Sequence, residues 1–314
     1  MKNFFVYACV AASFSGGPFS PLSPELPLDS TFQLTRFPYP DADTVTAFPA
    51  SIAKPAPAPL EQAHAHNDYE HERPLLDALA HGFNFIEVDV WLIENELYVS
   101  HHFPVFLQKA NTLKNLYLDP LDKLIGENDG RVFTESAVPL HLMIDIKTGA
   151  IETYQVLKHQ LEPFRHWITH FCNDKTTERA VRIFLSGNRP IETLASENER
   201  FMALDGRIED LGKDYPPSLM PVISEPFQSI FGWQLPGMKR LEKQWQVFER
   251  ITRLVHAEGK KVRLWASPED EVVWKKLLLH GADLINTDEL TRLHRFLIKR
   301  KLAMPAPSTA SLAN

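Results

Sequence analysis

From Leu60 to Lys301 the chain alternates short apolar runs of strand length with stretches whose apolar residues recur at helical spacing. The runs predict strands over Gln62 to His66, Asn84 to Trp91, His141 to Lys147, Val181 to Gly187, Phe201 to Gly206, Leu219 to Ser224, Lys261 to Ala266 and Ala282 to Thr287. Between them helices are expected over Arg73 to His81, Glu152 to Glu162 and Leu241 to Glu258. Pro74 lies in the first turn of the first, and Gly82 and Gly259 stop the first and the third. Ser267 reads as an N-cap, followed by Pro268 at the first helical position and first-turn acids Glu269 and Asp270; that helix stops at Gly281, and Asp288 caps the last one. Glu94-Asn95 reads as a turn that sends Glu96 to His101 back as a hairpin arm. Eight strands alternating with helices predict a TIM (β/α)8 barrel. A doubly wound open sheet is the runner-up, but no glycine-rich phosphate loop follows the first strand.

In a TIM barrel the site lies at the C-terminal ends of the strands. His66, Glu87, Asp89, Asp145, Lys147, Ser186, Asp205, Trp265 and Asn286 fall at those ends. Strand side chains alternate, so Glu87 and Asp89 share one face while Ile86, Val88 and Val90 share the other. On a lone strand the acids would face water. In a βαβ context both faces are covered, and two carboxylates there repel each other and lose hydration unless a cation lies between them. Oxygen-only ligation points to Mg²⁺, with Ca²⁺ as the alternative. Asp145 and Lys147 share a face in the same way: the acid is a third oxygen ligand, and the lysine holds a phosphate or offsets the acids. His101 is preferred over His102 for proton transfer, and Arg207 is a candidate contact for an anionic substrate, its alternative an ion pair with Glu209 or Asp210.

Composition narrows the partners. A net charge of −7 over 314 residues gives no electrostatic reason to expect nucleic acid. The two cysteines, Cys9 and Cys172, show no zinc-ligand spacing, and no apolar run is long enough to cross a membrane. Residues 1–16, with Lys2 ahead of an apolar run and small residues, resemble a signal peptide and so suggest a secreted or periplasmic protein, a cytoplasmic one being the alternative. Residues 17–59 read as a proline-rich arm, 60–301 as the catalytic barrel and 302–314 as a disordered tail. Oligomeric state is not legible.

The histidine ending the first strand, Glu-X-Asp on the second, a histidine after the hairpin and acid-X-Lys on the third resemble the phosphatidylinositol-phospholipase-C-like phosphodiesterase superfamily, which includes glycerophosphodiester phosphodiesterases and sphingomyelinase D toxins. Within it the chain is most similar to the bacterial and fungal family named for altered inheritance of mitochondria, through HAHNDY, EVDVWL, ELYVSHH, LYLDPL, IDIKT, SGNRP, LDGR, RLWASPE and LINTDEL. The resemblance implies a TIM barrel, one divalent metal held by Glu87, Asp89 and Asp145, and acid/base catalysis by His66 and His101. It implies that Lys147 contacts the phosphate and that Trp265 and Asn286 line the pocket of a small-molecule or lipid phosphodiester. Asn67 stands where glycerophosphodiesterases carry a phosphate-gripping arginine, and takes another part in substrate binding. The alternatives are a ligand-binding barrel without catalysis and an amidohydrolase-type metal-dependent hydrolase, whose His-X-His is mimicked by His64-Ala65-His66.

Overall fold

The computed structural model describes residues 55–56, 58–173, 175–232 and 242–303. The expected leader, most of the arm, Trp233 and the tail beyond Ala303 lie outside the described residues.

In chain order the elements are β1 (Leu60–Ala65), α1 (Leu76–Ala80), β2 (Phe83–Ile93), β3 (Glu96–Val99), α2 (Asp119–Glu127), β4 (Leu140–Ile146) and α3 (Ala150–Leu161). There follow β5 (His170–Cys172), β6 (Lys175–Thr177), β7 (Val181–Gly187), α4 (Ile191–Ser196), β8 (Glu199–Arg200) and β9 (Met202–Gly206). The chain continues through β10 (Val222–Pro226), α5 (Phe227–Phe231), α6 (Glu242–Ala257), β11 (Lys261–Trp265), α7 (Glu271–Leu279), β12 (Leu284–Thr287) and α8 (Leu290–Ala303).

Strands β1, β2, β4, β7, β9, β10, β11 and β12 pair in parallel in that order, and β12 pairs back onto β1. This is the closed eight-stranded TIM barrel that the alternation of patterns predicts. The outward residues of the strands, such as Ile86, Val88, Leu142, Ile144, Ile183 and Leu185, are buried under the helices in one large core. The inward residues Phe85, Met143, Phe184, Ala203, Val222 and Leu284 form a separate apolar cluster that Phe171 of β5 joins. Burying each large apolar side chain of this kind stabilises the fold by roughly 1.5–3 kcal/mol.

Several elements depart from the sequence expectation for local reasons. The sixth barrel strand starts at Val222, three residues later than expected. The N-cap of α7 is Asp270, whose side chain accepts from the Val272 and Val273 backbone N–H groups, and not Ser267. That shift frees Glu269 to accept from Thr287 Oγ1 and from the Asp288 N–H. A small antiparallel sheet of β6, β5 and β8 was not expected at all. Nor was the π-helical turn Lys114–Leu118 that leads into α2. Glu94 and Asn95, with φ of 51° and 62°, form the expected turn between β2 and β3. No described helix is long and apolar enough to cross a membrane.

Candidate active site

The register of the sheet brings the acids together. Asp89 pairs with Asp145 across β2 and β4, and Asp145 pairs with Ser186 across β4 and β7. Residues opposite one another in parallel strands point the same way, so all three enter the barrel. Glu87 enters two residues deeper on the same face. One carboxylate oxygen from each of Glu87, Asp89 and Asp145 lies within 4.8 Å of the other two. The crowding requires Gly187: its φ is +65°, and a Cβ there would sit 2.4 Å from Asp145 Oδ1.

Two cations offset these acids from opposite sides. Lys147 Nζ lies 3.0 Å from both Asp89 Oδ2 and Asp145 Oδ1. Burial disfavours its charge, but the two acids outweigh burial and hold its pKa above the ordinary lysine value. From below comes Arg263, a residue for which the sequence offered no functional signal. Its Nη1 donates to Glu87 Oε2 at 2.5 Å and to Asn286 Oδ1 at 3.1 Å, and its Nε donates to Ser224 Oγ at 3.0 Å. Ser224 in turn donates to Asp205 Oδ1 at 2.6 Å, and Ser186 donates to Asp205 Oδ2 at 2.9 Å. His64 Nε2 lies 2.8 Å from Glu87 Oε2 and 2.6 Å from Arg263 Nη1. Burial and the neighbouring guanidinium push the His64 pKa down to about 4, so its ring is neutral and serves to hold Glu87. Burial works against ionisation of Glu87, but Arg263 and His64 hold its pKa well below the ordinary value. Asp145 has less help: burial and the Glu87 charge push it up to about 6 despite Lys147.

The hydrogen bonds and ion pairs of the three acids fall on one oxygen each: Glu87 Oε2, Asp89 Oδ2 and Asp145 Oδ1. Asp89 Oδ1 is buried without any partner. An unpaired buried carboxylate oxygen is costly. Three carboxylates facing two protein cations leave one negative charge and at least one free oxygen. The residues therefore fit a hard divalent cation, and Glu87, Asp89 and Asp145 are the side chains that would hold it.

Both expected catalytic histidines lie at this mouth, each with Nδ1 on a carboxylate. His66, just past β1, lies 2.7 Å from Asp288 Oδ1 through Nδ1. His101, beyond β3, lies 3.1 Å from Asp89 Oδ2 through Nδ1. An ionised carboxylate only accepts, so each Nδ1 carries the proton and each Nε2 is left for other work. Burial disfavours the charged form of His66, but Asp288 and Glu87 outweigh it and raise its pKa. Asp288 thus serves His66 where it was expected to cap α8. His102 is exposed, with its ring edge-on to that of His101 at a centroid distance of 4.7 Å. Tyr69 donates to Asp89 Oδ2 at 2.9 Å and to Asn67 Oδ1 at 3.1 Å, a role for which its position in HAHNDY gave no geometric signal.

The remaining candidates divide. Asn67 sits beside the acids, in the left-handed region with φ of 44°, and its side-chain oxygen is taken by Tyr69. Trp265 ends β11 half-buried. Asn286 is buried and held by Arg263. Arg207 is paired through Nη1 with Asp205 Oδ2 at 2.7 Å, and only its backbone N–H reaches Asp210. The ion pair weighed for it exists, but with a different acid.

Residues 57–205 match the family model of the AIM6-like phosphodiesterase domain. The chain is 28% identical over 281 residues to altered inheritance of mitochondria protein 6 of Eremothecium gossypii, covering 79% of this chain and 72% of that protein. It is 27% identical over 276 residues to the protein of that name from Lachancea thermotolerans, covering 74% and 64%. It is 25% identical over 280 residues to the homolog from Arthroderma benhamiae, covering 80% and 87%. A solved glycerophosphodiester phosphodiesterase from Parabacteroides distasonis aligns with a TM-score of 0.46 at 14% identity, over 77% of this chain and 99% of that one. Glu87, Asp89, Asp145, His66 and His101 lie within the matched domain; Arg263, Asn286 and Asp288 lie beyond it.

Proposed function

We propose that the chain, whose residues 57–205 match the model of the AIM6-like phosphodiesterase domain, hydrolyses a phosphodiester, with His66 and His101 as the proton-transfer pair and Glu87, Asp89 and Asp145 holding one Mg²⁺, Ca²⁺ being the alternative. The observation that carries this reading is the meeting, at one barrel mouth, of three converging carboxylates and two imidazoles each anchored at Nδ1. Such a cation, when bound, supplies positive charge to the phosphoryl oxygens. Lys147, partly exposed between Asp89 and Asp145, adds a second positive charge within reach of the substrate.

His101 Nε2 takes a proton from the attacking water, and the Asp89 carboxylate at Nδ1 stabilises the imidazolium so formed. His66 gives a proton from Nε2 to the leaving oxygen. Its raised pKa, maintained by Asp288, suits the partner that must start protonated. His64 is neutral and holds Glu87 through Nε2, so that nitrogen is already engaged. That engagement weighs against an amidohydrolase-type site built on His64-Ala65-His66.

The test is hydrolysis of bis(p-nitrophenyl) phosphate across pH. kcat/KM should follow a bell whose two limbs belong to the coupled site. His66→Ala and His101→Ala should each lose about two orders of magnitude or more, while calorimetric Mg²⁺ affinity changes little. His102→Ala should be mild. An inactive His102→Ala beside a near-normal His101→Ala would overturn the assignment.

A further inference from the structure

The loop of residues 100–111, between β3 and the π-helical turn, begins at the candidate base and then turns apolar outward. Phe103 is 59% exposed, Val105 77%, Phe106 79% and Leu107 41%. The other large apolar residues exposed to this degree, such as Ile151, Leu254 and Val272, are scattered one at a time over helices, which is ordinary for a protein surface. Four within five consecutive residues is a contiguous patch and calls for a partner.

The loop is held at its base and free at its tip. The Val99 N–H donates to Asn111 O at 2.9 Å, and Tyr98 bridges to Thr112. Trp91 Nε1–H donates to Ser100 O at 2.9 Å, and the Trp91 ring meets Phe103 edge-on at 5.4 Å between centroids. The tip is therefore a supported projection, a shape suited to entering a soft surface. A two-fold contact between copies would need a self-complementary patch, which a projecting tip does not provide.

Charge points the same way. In a chain of net charge −7, no Asp or Glu occurs from Leu97 to Leu118, whereas that stretch holds Lys109, Lys114, His101 and His102. Lys114 is paired with Asp119, but Lys109 has no ion pair among the described residues. Aromatic and aliphatic side chains at a tip with a cation beside them match the boundary between acyl chains and phosphate head groups.

We infer that residues 103–107 insert into a lipid surface carrying anionic phosphate head groups, and that the diester presented to His101 is that of a membrane lipid. This rests on the phosphodiesterase reading for its second half only; docking is a property of the loop. An apolar segment that sinks about 5–10 Å into the head-group region would bring His101, two residues from Phe103, to the depth of the phosphates.

The test is flotation of the full chain with vesicles of equimolar phosphatidylcholine and phosphatidylglycerol, read against the Val105→Asp/Phe106→Asp double variant. Wild type should float, and the double variant should partition at least about tenfold less, with circular dichroism and melting temperature unchanged because both side chains lie in solvent. His66→Ala should float like wild type, which separates docking from catalysis. Wild type that stays with the soluble fraction, or a double variant that floats equally well, would overturn the inference. So would a wild-type dimer that the double variant dissolves without vesicle binding, since the loop would then join two copies.

Discussion

The lower and upper halves of the barrel interior are built by the same strands on the same inward face, yet they are chemically opposite. On six strands an apolar inward residue is followed two positions later by a polar one: Phe85 by Glu87, Met143 by Asp145, Phe184 by Ser186, Ala203 by Asp205, Val222 by Ser224 and Leu284 by Asn286. One step of the strand period separates a dry floor from an ionised mouth. The floor keeps water from beneath the carboxylates, which raises the cost of any charge left unpaired there. The mouth meets that cost with Arg263 below and Lys147 above, and still leaves Asp89 Oδ1 without a partner. The floor stabilises; the mouth carries negative charge that the protein's own cations do not fully offset.

The largest effect should come from the mouth. Glu87→Ala or Asp145→Ala should abolish Mg²⁺ binding in calorimetric titration while the protein stays folded. Unchanged affinity would dissolve the distinction between the two halves. Arg263→Met should act on both halves at once. It leaves Glu87 and Asp205 buried beside fewer positive charges, and should cost about 3–5 kcal/mol in denaturant unfolding. A variant as stable as wild type would show that the guanidinium is not what compensates Glu87.

The floor alone is probed by Met143→Ala. A cavity there should cost about 2–5 kcal/mol, with Mg²⁺ affinity nearly unchanged. Weakened metal binding in that variant would mean that floor packing also sets the geometry of the acids.

Asp68 sharpens the comparison with the smallest effect. It is a buried carboxylate with no cation beside it. Its Oδ2 accepts from the Leu75 N–H at 2.5 Å and from Tyr117 Oη at 2.9 Å. Burial pushes its pKa up to about 7. A carboxyl raised in the folded state contributes stability that is present at acid pH, below the unfolded value, and lost as pH rises through the folded value. The window here runs from about pH 4 to about pH 7. Asp68→Asn should therefore flatten the melting profile across that window and melt about 2–4 °C above wild type at pH 8. A parallel profile would place the titration elsewhere.

How much of this could be read in the sequence follows from period and length. The barrel was legible because its strands are long enough to show alternation; Asp145 sits near the end of β4, whereas β2 runs on past Glu87 and Asp89 to Ile93. The carboxylate cluster followed, since Glu87, Asp89 and Asp145 share inward positions. Arg263 was not legible. In KVRLWA it occupies a polar position of an alternating strand, and a pattern of period two does not say which face is inside. The sheet of β5, β6 and β8 is built from pieces of two or three residues, too short for a period. Pro120 in LYLDPL looks like a breaker, but it stands in the first turn of α2, directly after the π-helical turn Lys114–Leu118. The cap of α7 was misplaced because Ser267 and Asp270 both fit locally. The choice between them depends on Glu269 reaching Thr287 and Asp288, a contact between distant parts of the chain.

We propose that a cation held by the carboxylates of the mouth is the basis of phosphodiester hydrolysis. This is tested most directly by turnover of bis(p-nitrophenyl) phosphate by the full chain before EDTA treatment, after it, and after Mg²⁺ is returned. The account predicts turnover that chelation removes and Mg²⁺ or Ca²⁺ restores, with Glu87→Ala inactive throughout. Turnover indifferent to EDTA, or equal in Glu87→Ala, would contradict it.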